Sequence, residues 1–144
     1  MIILNLGVHE VPHFRGKTAG DVASILEHGY KIVETFFNMH EAEITNALVE
    51  SYTNSAMAMF EGAPATLNPA GDAIGKIETM FKKAVFMQEF DGLIPGVPTR
   101  AALTGASKWR KRGRKVRASR SSFVDSDIYR SSFTVWVDDN TSSK

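Results

Sequence analysis

Apolar and polar residues alternate at both ends of the chain. Residues 2–8 (IILNLGV) place an apolar side chain at every second position, and so do residues 133–137 (FTVWV). A period of two is the spacing of a β-strand with one buried face. Pro12 is expected to end any pairing of the first strand, because proline has no N–H for a sheet ladder. We expect the two strands to pair with each other, since the sequence offers neither of them another partner.

After the first strand, the apolar spacing changes to that of a helix. Thr18 is placed to cap the first turn, and Asp21 three residues later can complete a capping box. A mostly apolar stripe then follows at helical spacings: Val22, Ile25, Leu26, Val33, Phe36, Phe37, Ile44, Leu48, Tyr52, Ser55 and Met59. Two alternatives are open, one helix over residues 18–60 or a break near residues 38–40. Gly29 weakens the first half without forbidding it.

A second helix is predicted after a connection that contains glycine and proline. Asn68 is a favourable N-cap, and Pro69 is a favourable first helical residue. Down to about Phe90, one face of this helix carries Ile74, Ile77, Phe81, Val85 and Gln88. The short connection predicts that the two helices form an antiparallel pair.

Residues 93–122 have no regular period and are predicted to form a long basic loop or arm. Connections of that length are uncommon inside a compact domain, and they are usually functional or disordered until bound. The last residues, 138–144, are predicted to form a mobile tail. The sequence therefore predicts one α+β domain over residues 1–144. It combines a long antiparallel helix pair, a small antiparallel sheet of the N- and C-terminal strands, and the long basic loop.

The net charge of +1 conceals an uneven distribution. Residues 1–107 carry 7 Lys and Arg against 12 Asp and Glu, a net charge of −5, whereas residues 108–144 carry 10 against 4, a net charge of +6. Such a split indicates an interaction surface or head-to-tail packing of copies. No apolar run approaches the roughly 20 residues of a membrane span, so no membrane partner is expected.

The sequence offers no recognisable catalytic constellation. It has no cysteine, which excludes disulfides, thiolate metal sites and cysteine nucleophiles. His9 and His13 are separated by Pro12, which argues against a helical ligand pair. His28 and His40 lie in helical patterns, and the glutamates adjacent to them point to other faces. A glycine-rich phosphate loop and a nucleophile elbow are both missing. We expect no enzyme activity, no metal and no cofactor.

Eight cations fall within the 13 residues from position 108 to position 120. With the tryptophan among them, the candidate contact residues are Lys108, Trp109, Arg110, Lys111, Arg112, Arg114, Lys115, Arg117 and Arg120. Three interpretations are open. The run can dock onto an acidic neighbour such as the body of another copy. It can bind DNA phosphates while Trp109 stacks on a base, or it can be a solvated loop.

A short motif follows the basic run. Residues 124–133 (VDSDIYRSSF) resemble the V-D-T-G-x-L-x-x-S-[IF] motif of small tailed-bacteriophage proteins, namely head–tail joining, neck and tail-completion proteins. The positions that carry the resemblance are Asp125, Ser126, Asp127, Tyr129, Ser132 and Phe133. Ser126 keeps the hydroxyl of the motif's threonine, Tyr129 stands at the large apolar position, and Asp127 replaces the glycine. With a similar lead-in from residue 98, the resemblance covers about residues 98–137.

The motif has a local physical meaning. Asp125 or Ser126 can cap one helical turn, and Tyr129 can pack that turn onto the core before the strand begins at Phe133. The motif's glycine suits a left-handed backbone, and aspartate tolerates that conformation better than most residues. We therefore expect Asp127 to take on this role.

The resemblance implies a virion structural protein without enzyme activity. Copies would form an oligomeric ring around the DNA channel at the neck, the head–tail connector or the tail end. Their partners would be further copies and neighbouring phage neck or tail proteins, with non-specific contact to packaged DNA. The protein would reside in the virion and, during virion assembly, in the host cytoplasm. The alternative is a small DNA-binding protein that uses residues 108–120.

Overall fold

The structure, a computed structural model, describes residues 2–12, 16–104, 122–123 and 127–139. In this part of the chain the elements follow in the order β1 (Ile2–Val8), α1 (Ala19–Tyr30), α2 (Ile32–Phe60), α3 (Gly71–Phe86), α4 (Arg100–Thr104), α5 (Ile128–Ser132) and β2 (Phe133–Asp139). The fold is α+β, with a long helix pair and a two-stranded antiparallel sheet. The predicted fold class is confirmed.

The sheet joins the two ends of the chain as predicted. Leu6 pairs with Val135 and Val8 pairs with Phe133. These apolar residues pack on the core of the protein, while Trp136 on the other face is 43% exposed. Strand β2 includes the first two residues of the predicted tail, and the tail's remaining five residues lie outside the described residues.

Helix α1 begins with the predicted capping box. The Asp21 N–H donates to Thr18 Oγ1 at 3.2 Å, and the Thr18 N–H donates to Asp21 Oδ2 at 2.9 Å. Backbone pairing does not end at Pro12, because Pro12 forms an isolated bridge with Thr18. That bridge uses the Val11 carbonyl as acceptor for the Ala19 N–H at 2.8 Å, so it needs no N–H from proline.

The helix predicted over residues 18–60 is broken at Lys31. Both alternatives were therefore wrong, since residues 38–40 lie inside α2. Lys31 separates α1 from α2 with a left-handed backbone, φ 50° and ψ 49°. The break escaped prediction because lysine is an ordinary helix former and the side chain that stabilises the junction, Glu27, comes from the preceding turn.

Helix α3 begins at Gly71 with Ala70 as its N-cap, so the predicted cap at Asn68 was wrong. The Asn68 carbonyl accepts the Gly71 N–H at 3.1 Å. The Pro69 carbonyl is anchored on α2, where it accepts the Ser51 hydroxyl at 2.7 Å. The turn therefore attaches to α2 before the helix starts, and the start of α3 has no side-chain capping bond among the described residues.

Helix α3 also ends earlier than predicted, at Phe86 and not near Phe90. Gln88 has a left-handed backbone with φ 61°. The Glu89 N–H donates to the Ala84 carbonyl at 3.0 Å, the long bond of a Schellman motif. The apolar pattern continued past this point because Phe90 is buried in the turn that follows the helix.

Helices α2 and α3 run antiparallel, as predicted. Lys76 Nζ lies 2.7 Å from Glu50 Oε2 near the start of α3, and Glu89 beyond its end lies 3.0 Å from His40 Nε2. His40 comes before Glu50 in α2, but its partner Glu89 comes after Lys76, the partner of Glu50. The two helices therefore run in opposite directions.

The core lies between this helix pair and the sheet. Three buried phenylalanines mark its centre, one each from α2, α3 and β2. The Phe81 and Phe133 rings stack with centroids 3.7 Å apart, and the Phe36 ring meets Phe81 edge-on at 5.2 Å. The two helices and the C-terminal strand therefore share one continuous core.

The C-terminal end of α2 extends beyond this core. Ser55 donates to the Pro69 carbonyl at 3.3 Å. Residues 56–68 after it, here termed the overhang, contain no buried side chain. The exposed fractions of Met57, Phe60 and Leu67 are 55%, 89% and 104%. The overhang therefore presents apolar side chains to solvent.

Part of the segment predicted to lack regular structure is helical. Helix α4 occupies Arg100–Thr104, and Thr99 Oγ1 accepts the Ala102 N–H at 3.2 Å. A single turn is too short for an apolar period to reveal it. Residues 105–121 of the predicted basic loop lie outside the described residues. Among the helices of the described ranges, none combines the length and apolar character that a membrane crossing needs.

Candidate functional site

The predicted contact residues of the basic run all lie outside the described residues, from Lys108 to Arg120. The described chain stops at Thr104 and resumes at Ser122. Ser122 is buried, and its Oγ accepts the Thr99 N–H at 3.1 Å. The Phe123 ring meets Tyr30 at the end of α1 with centroids 5.4 Å apart. Ser122, two residues after the basic run, is thus anchored to Thr99 at the start of α4, whereas the described chain before the run ends at Thr104.

The motif before β2 begins with a left-handed residue. Asp125 and Ser126, the two predicted capping residues, lie outside the described residues. Asp127 has φ 58° and ψ 0°, the conformation expected where the motif has glycine. It is N-cap of α5 without a side-chain capping bond. Its carboxylate pairs instead with Arg130.

Arg130 fixes the turn from the side. Its Nε lies 2.7 Å from Asp127 Oδ1, and its Nη2 donates to Asp127 Oδ2 at 2.8 Å. The guanidinium carbon also lies 5.6 Å from the centroid of the Phe86 ring on α3. Arg130 stands at a variable position of the motif, so the motif does not single it out. It links the left-handed residue to the helix pair.

Tyr129 packs the turn onto the core, as its large apolar position in the motif implied. It is 3% exposed, and its ring meets Phe81 edge-on at 6.1 Å. Its hydroxyl has no hydrogen-bond partner among the described residues. Burial, and secondly the negative charge of Glu27, raises the pKa of the Tyr129 phenol. The side chain therefore stays neutral and acts in packing.

Ser132 and Phe133 lead directly from α5 into β2. Ser132 is buried and donates from Oγ to the Tyr129 carbonyl at 3.2 Å. Its own carbonyl accepts the His9 N–H at 2.7 Å, which extends the β1–β2 pairing by one bond. Phe133 stacks on Phe81 in the core. The described part of the motif therefore joins one helical turn, the helix pair and the sheet.

Glu27 is a structural residue that the sequence did not reveal. Its Oε2 accepts the Val33 N–H at 2.8 Å and its Oε1 accepts the Glu34 N–H at 3.1 Å. These are first-turn amides of α2, which have no partner within their own helix. A carboxylate at a helix N-terminus is also favoured by the helix dipole. Glu27 thus caps α2 across the break at Lys31, a role that needs tertiary structure to be seen.

A groove runs between α2 and α3 on the outside of the helix pair. Its volume is about 580 Å³. Ala47 and Gly75 lie on facing sides of it, and Met80 adds apolar surface. The space is open because alanine is small and glycine has no side chain. A Cβ added at Gly75 would meet no atom within 4 Å. Glu43 and Glu50 line it from α2. We refer to it as the α2–α3 groove.

Among the described residues, no group of three or more histidine and carboxylate side chains is arranged to hold a metal ion. His13 lies outside these residues. His40 contacts two glutamates, and the sequence did not predict either contact. Its Nε2 lies 3.0 Å from Glu89 Oε2, and its Nδ1 lies 3.4 Å from Glu43 Oε2. His40 therefore connects α2 to the turn after α3.

Comparisons of the chain with protein-family models, with curated proteins and with solved structures give no match. The function is therefore inferred from the chain's own residues.

Proposed function

We propose that the protein is a structural subunit of a bacteriophage neck, head–tail connector or tail-completion ring that surrounds the DNA channel. The observation that carries this proposal is the geometry of residues 127–133. A left-handed residue, one helical turn with a buried aromatic side chain and immediate entry into a strand match the roles that the motif implies. The proposed role needs no catalytic group.

The overhang supports the assembly part of this proposal. Met57, Met59, Phe60 and Leu67 are all more than half exposed and lie within eleven residues of each other. Met57 and Phe60 lie three residues apart on α2 and are therefore neighbours on its surface, and a contiguous exposed apolar patch usually marks a protein–protein contact. In a ring, this end of the α2–α3 pair would be buried against a neighbouring copy or an adjoining ring.

The charge distribution supports head-to-tail association. A surface that meets a different surface on the next copy forms a ring when the rotation closes. The opposite net charges of residues 1–107 and 108–144 provide such a complementary pair. Complementary charges increase the rate and specificity of association more than its affinity. Neighbouring phage neck or tail proteins and packaged DNA are the further proposed partners.

The test is removal of the basic run. Deletion of residues 106–121 is expected to leave a folded protein, because the bond between Thr99 and Ser122 and the packing of Phe123 lie outside the deletion. We expect the variant to remain monomeric in light scattering under conditions in which the full chain assembles. A truncated protein that assembles like the full chain would contradict a docking role for the run.

A second candidate function is DNA binding through the same segment. The specific observation in its favour is the presence of eight cations around Trp109 within 13 residues. Phosphate contacts would give an affinity that falls steeply with salt. Neutralisation of Arg110, Lys111, Arg112 and Arg114 would then flatten the salt dependence. Weak binding that the four substitutions leave unchanged would favour the assembly role.

A further inference from the structure

The α2–α3 groove has the size and the charge of a docking site. Its volume of about 580 Å³ lies within the range of roughly 300–1,000 Å³ that is usual for small-ligand pockets. Ala47 and Gly75 keep its walls low, and Met80 provides an apolar contact. The groove thus offers apolar surface for one bulky side chain.

The α2 side of the groove is acidic. Helix α2 contains four glutamates and neither lysine nor arginine. Two of these glutamates, Glu43 and Glu50, line the groove, and Lys76 lines it from α3. Glu50 pairs with Lys76 across the groove, but both side chains are more than half exposed. Exposed pairs of this kind contribute little to stability, so these carboxylates can rearrange toward other cations.

We infer that the α2–α3 groove of one copy receives the basic run of a neighbouring copy, with Trp109 in the groove and the flanking cations on Glu43 and Glu50. This inference rests on the proposed ring assembly and specifies its contact. Charge complementarity identifies the occupant, because the run combines eight cations with one aromatic side chain. A desolvated tryptophan surrounded by charged contacts is a frequent centre of binding energy.

Docking onto a neighbour gives a head-to-tail contact. The basic run leaves one copy at Thr104 and Ser122, whereas the groove is built from α2 and α3 of the next copy. Two different surfaces then meet at every interface, an arrangement that forms a ring when the rotation between copies closes. A contact of this composition weakens as salt increases.

The experiment follows Trp109 by fluorescence in the full chain. The chain has two tryptophans, and Trp136→Phe leaves Trp109 as the only one. At low ionic strength, we expect the Trp109 emission to shift to the blue as protein concentration increases. Gly75→Leu should abolish the shift, since it fills the groove from a position where a Cβ meets no atom within 4 Å.

Gly29→Leu is the matched control. Gly29 is also an exposed helical glycine with no atom within 4 Å of an added Cβ, and it lies on α1 outside the groove. Both substitutions replace a helical glycine with a better helix former and should raise the thermal midpoint. The control should keep the blue shift that Gly75→Leu loses.

Native mass is measured on the same samples, so that the two proposals fail separately. A concentration-dependent shift that persists in Gly75→Leu overturns the groove as the docking site. A shift that is independent of concentration overturns docking between copies in favour of docking within one copy. Assemblies without any Trp109 shift overturn this inference alone, whereas a chain that neither assembles nor shifts contradicts the ring as well.

Discussion

Residues 127–133 and the overhang, residues 56–68, are both short segments that join larger elements, but they differ in packing. In residues 127–133, Tyr129, Ser132 and Phe133 are buried, and the Asp127 carboxylate is paired. In the overhang no side chain is buried, and Phe60 is 89% exposed. The first segment is complete within one copy. The second exposes apolar surface that no other described residue of the same copy covers.

This difference separates the roles of stability and assembly. A side chain that is already buried contributes to the folding of one copy, whereas an exposed apolar side chain contributes only when a partner covers it. Substitutions in the two segments should therefore affect different measurements. The following predictions test that separation, from the largest expected change in unfolding free energy to the smallest.

The largest effect is expected from Phe81→Ala. Phe81 contacts Phe36, Tyr129 and Phe133, and loss of a buried phenylalanine costs about 3–5 kcal/mol. Chemical denaturation should show a decrease of this size in the unfolding free energy. Phe60→Ala in the overhang is the matched control. A loss below 1 kcal/mol at Phe81 would show that the core is not continuous across α3 and β2.

An intermediate effect is expected from substitution of Asp127. Asp127→Ala places a side chain without local polar bonding at φ 58°, at a cost of about 1–2 kcal/mol. Asp127→Gly removes the same ion pair with Arg130 but fits the left-handed backbone, so only the smaller loss of a partly exposed pair remains. The midpoint of thermal unfolding should therefore be higher for Asp127→Gly than for Asp127→Ala. Equal losses in the two variants would mean that the ion pair, and not the backbone, decides this position, and the reverse order would contradict the left-handed backbone of Asp127.

Tyr129→Phe is expected to stabilise the protein. The substitution removes a buried hydroxyl that lacks a partner among the described residues, and such a group costs about 1–3 kcal/mol. An increase of about 1 kcal/mol in the unfolding free energy is expected on this basis. Tyr129→Leu, which also removes the ring, is the control and should destabilise. A loss of stability on Tyr129→Phe would show that the hydroxyl is bonded in the folded protein.

The smallest effect on folding is expected from Phe60→Ala. Because Phe60 is 89% exposed, the unfolding free energy of the monomer should change by no more than about 0.5 kcal/mol. Its effect should appear in assembly, measured as native mass by light scattering. An unchanged distribution of assemblies would remove the overhang from the proposed interface.

Much of the fold could be predicted because its signals are local. The alternation in residues 2–8 and 133–137 predicted both strands, and the capping box at Thr18 predicted the start of α1. The helix pair followed from apolar spacing. Each of these signals depends on residues close together in sequence. The same property explains why the left-handed role of Asp127 could be expected from a motif position.

The misplaced boundaries and most of the site depend on tertiary contacts. Glu27 caps α2 across the break at Lys31, and Ser51 anchors the turn before α3 through the Pro69 carbonyl. Neither contact has a short sequence signature. The α2–α3 groove likewise exists only because Ala47 and Gly75 face each other across two helices. An isolated alanine and an isolated glycine carry no such information.

The most direct test of the central claim is the native mass of the purified chain by light scattering, with negative-stain images of the same peak. The assembly account predicts a mass that is several times the 15.9 kDa of one chain and closed rings with a central opening. A monomer at every protein and salt concentration would contradict self-assembly and would favour the DNA-binding function.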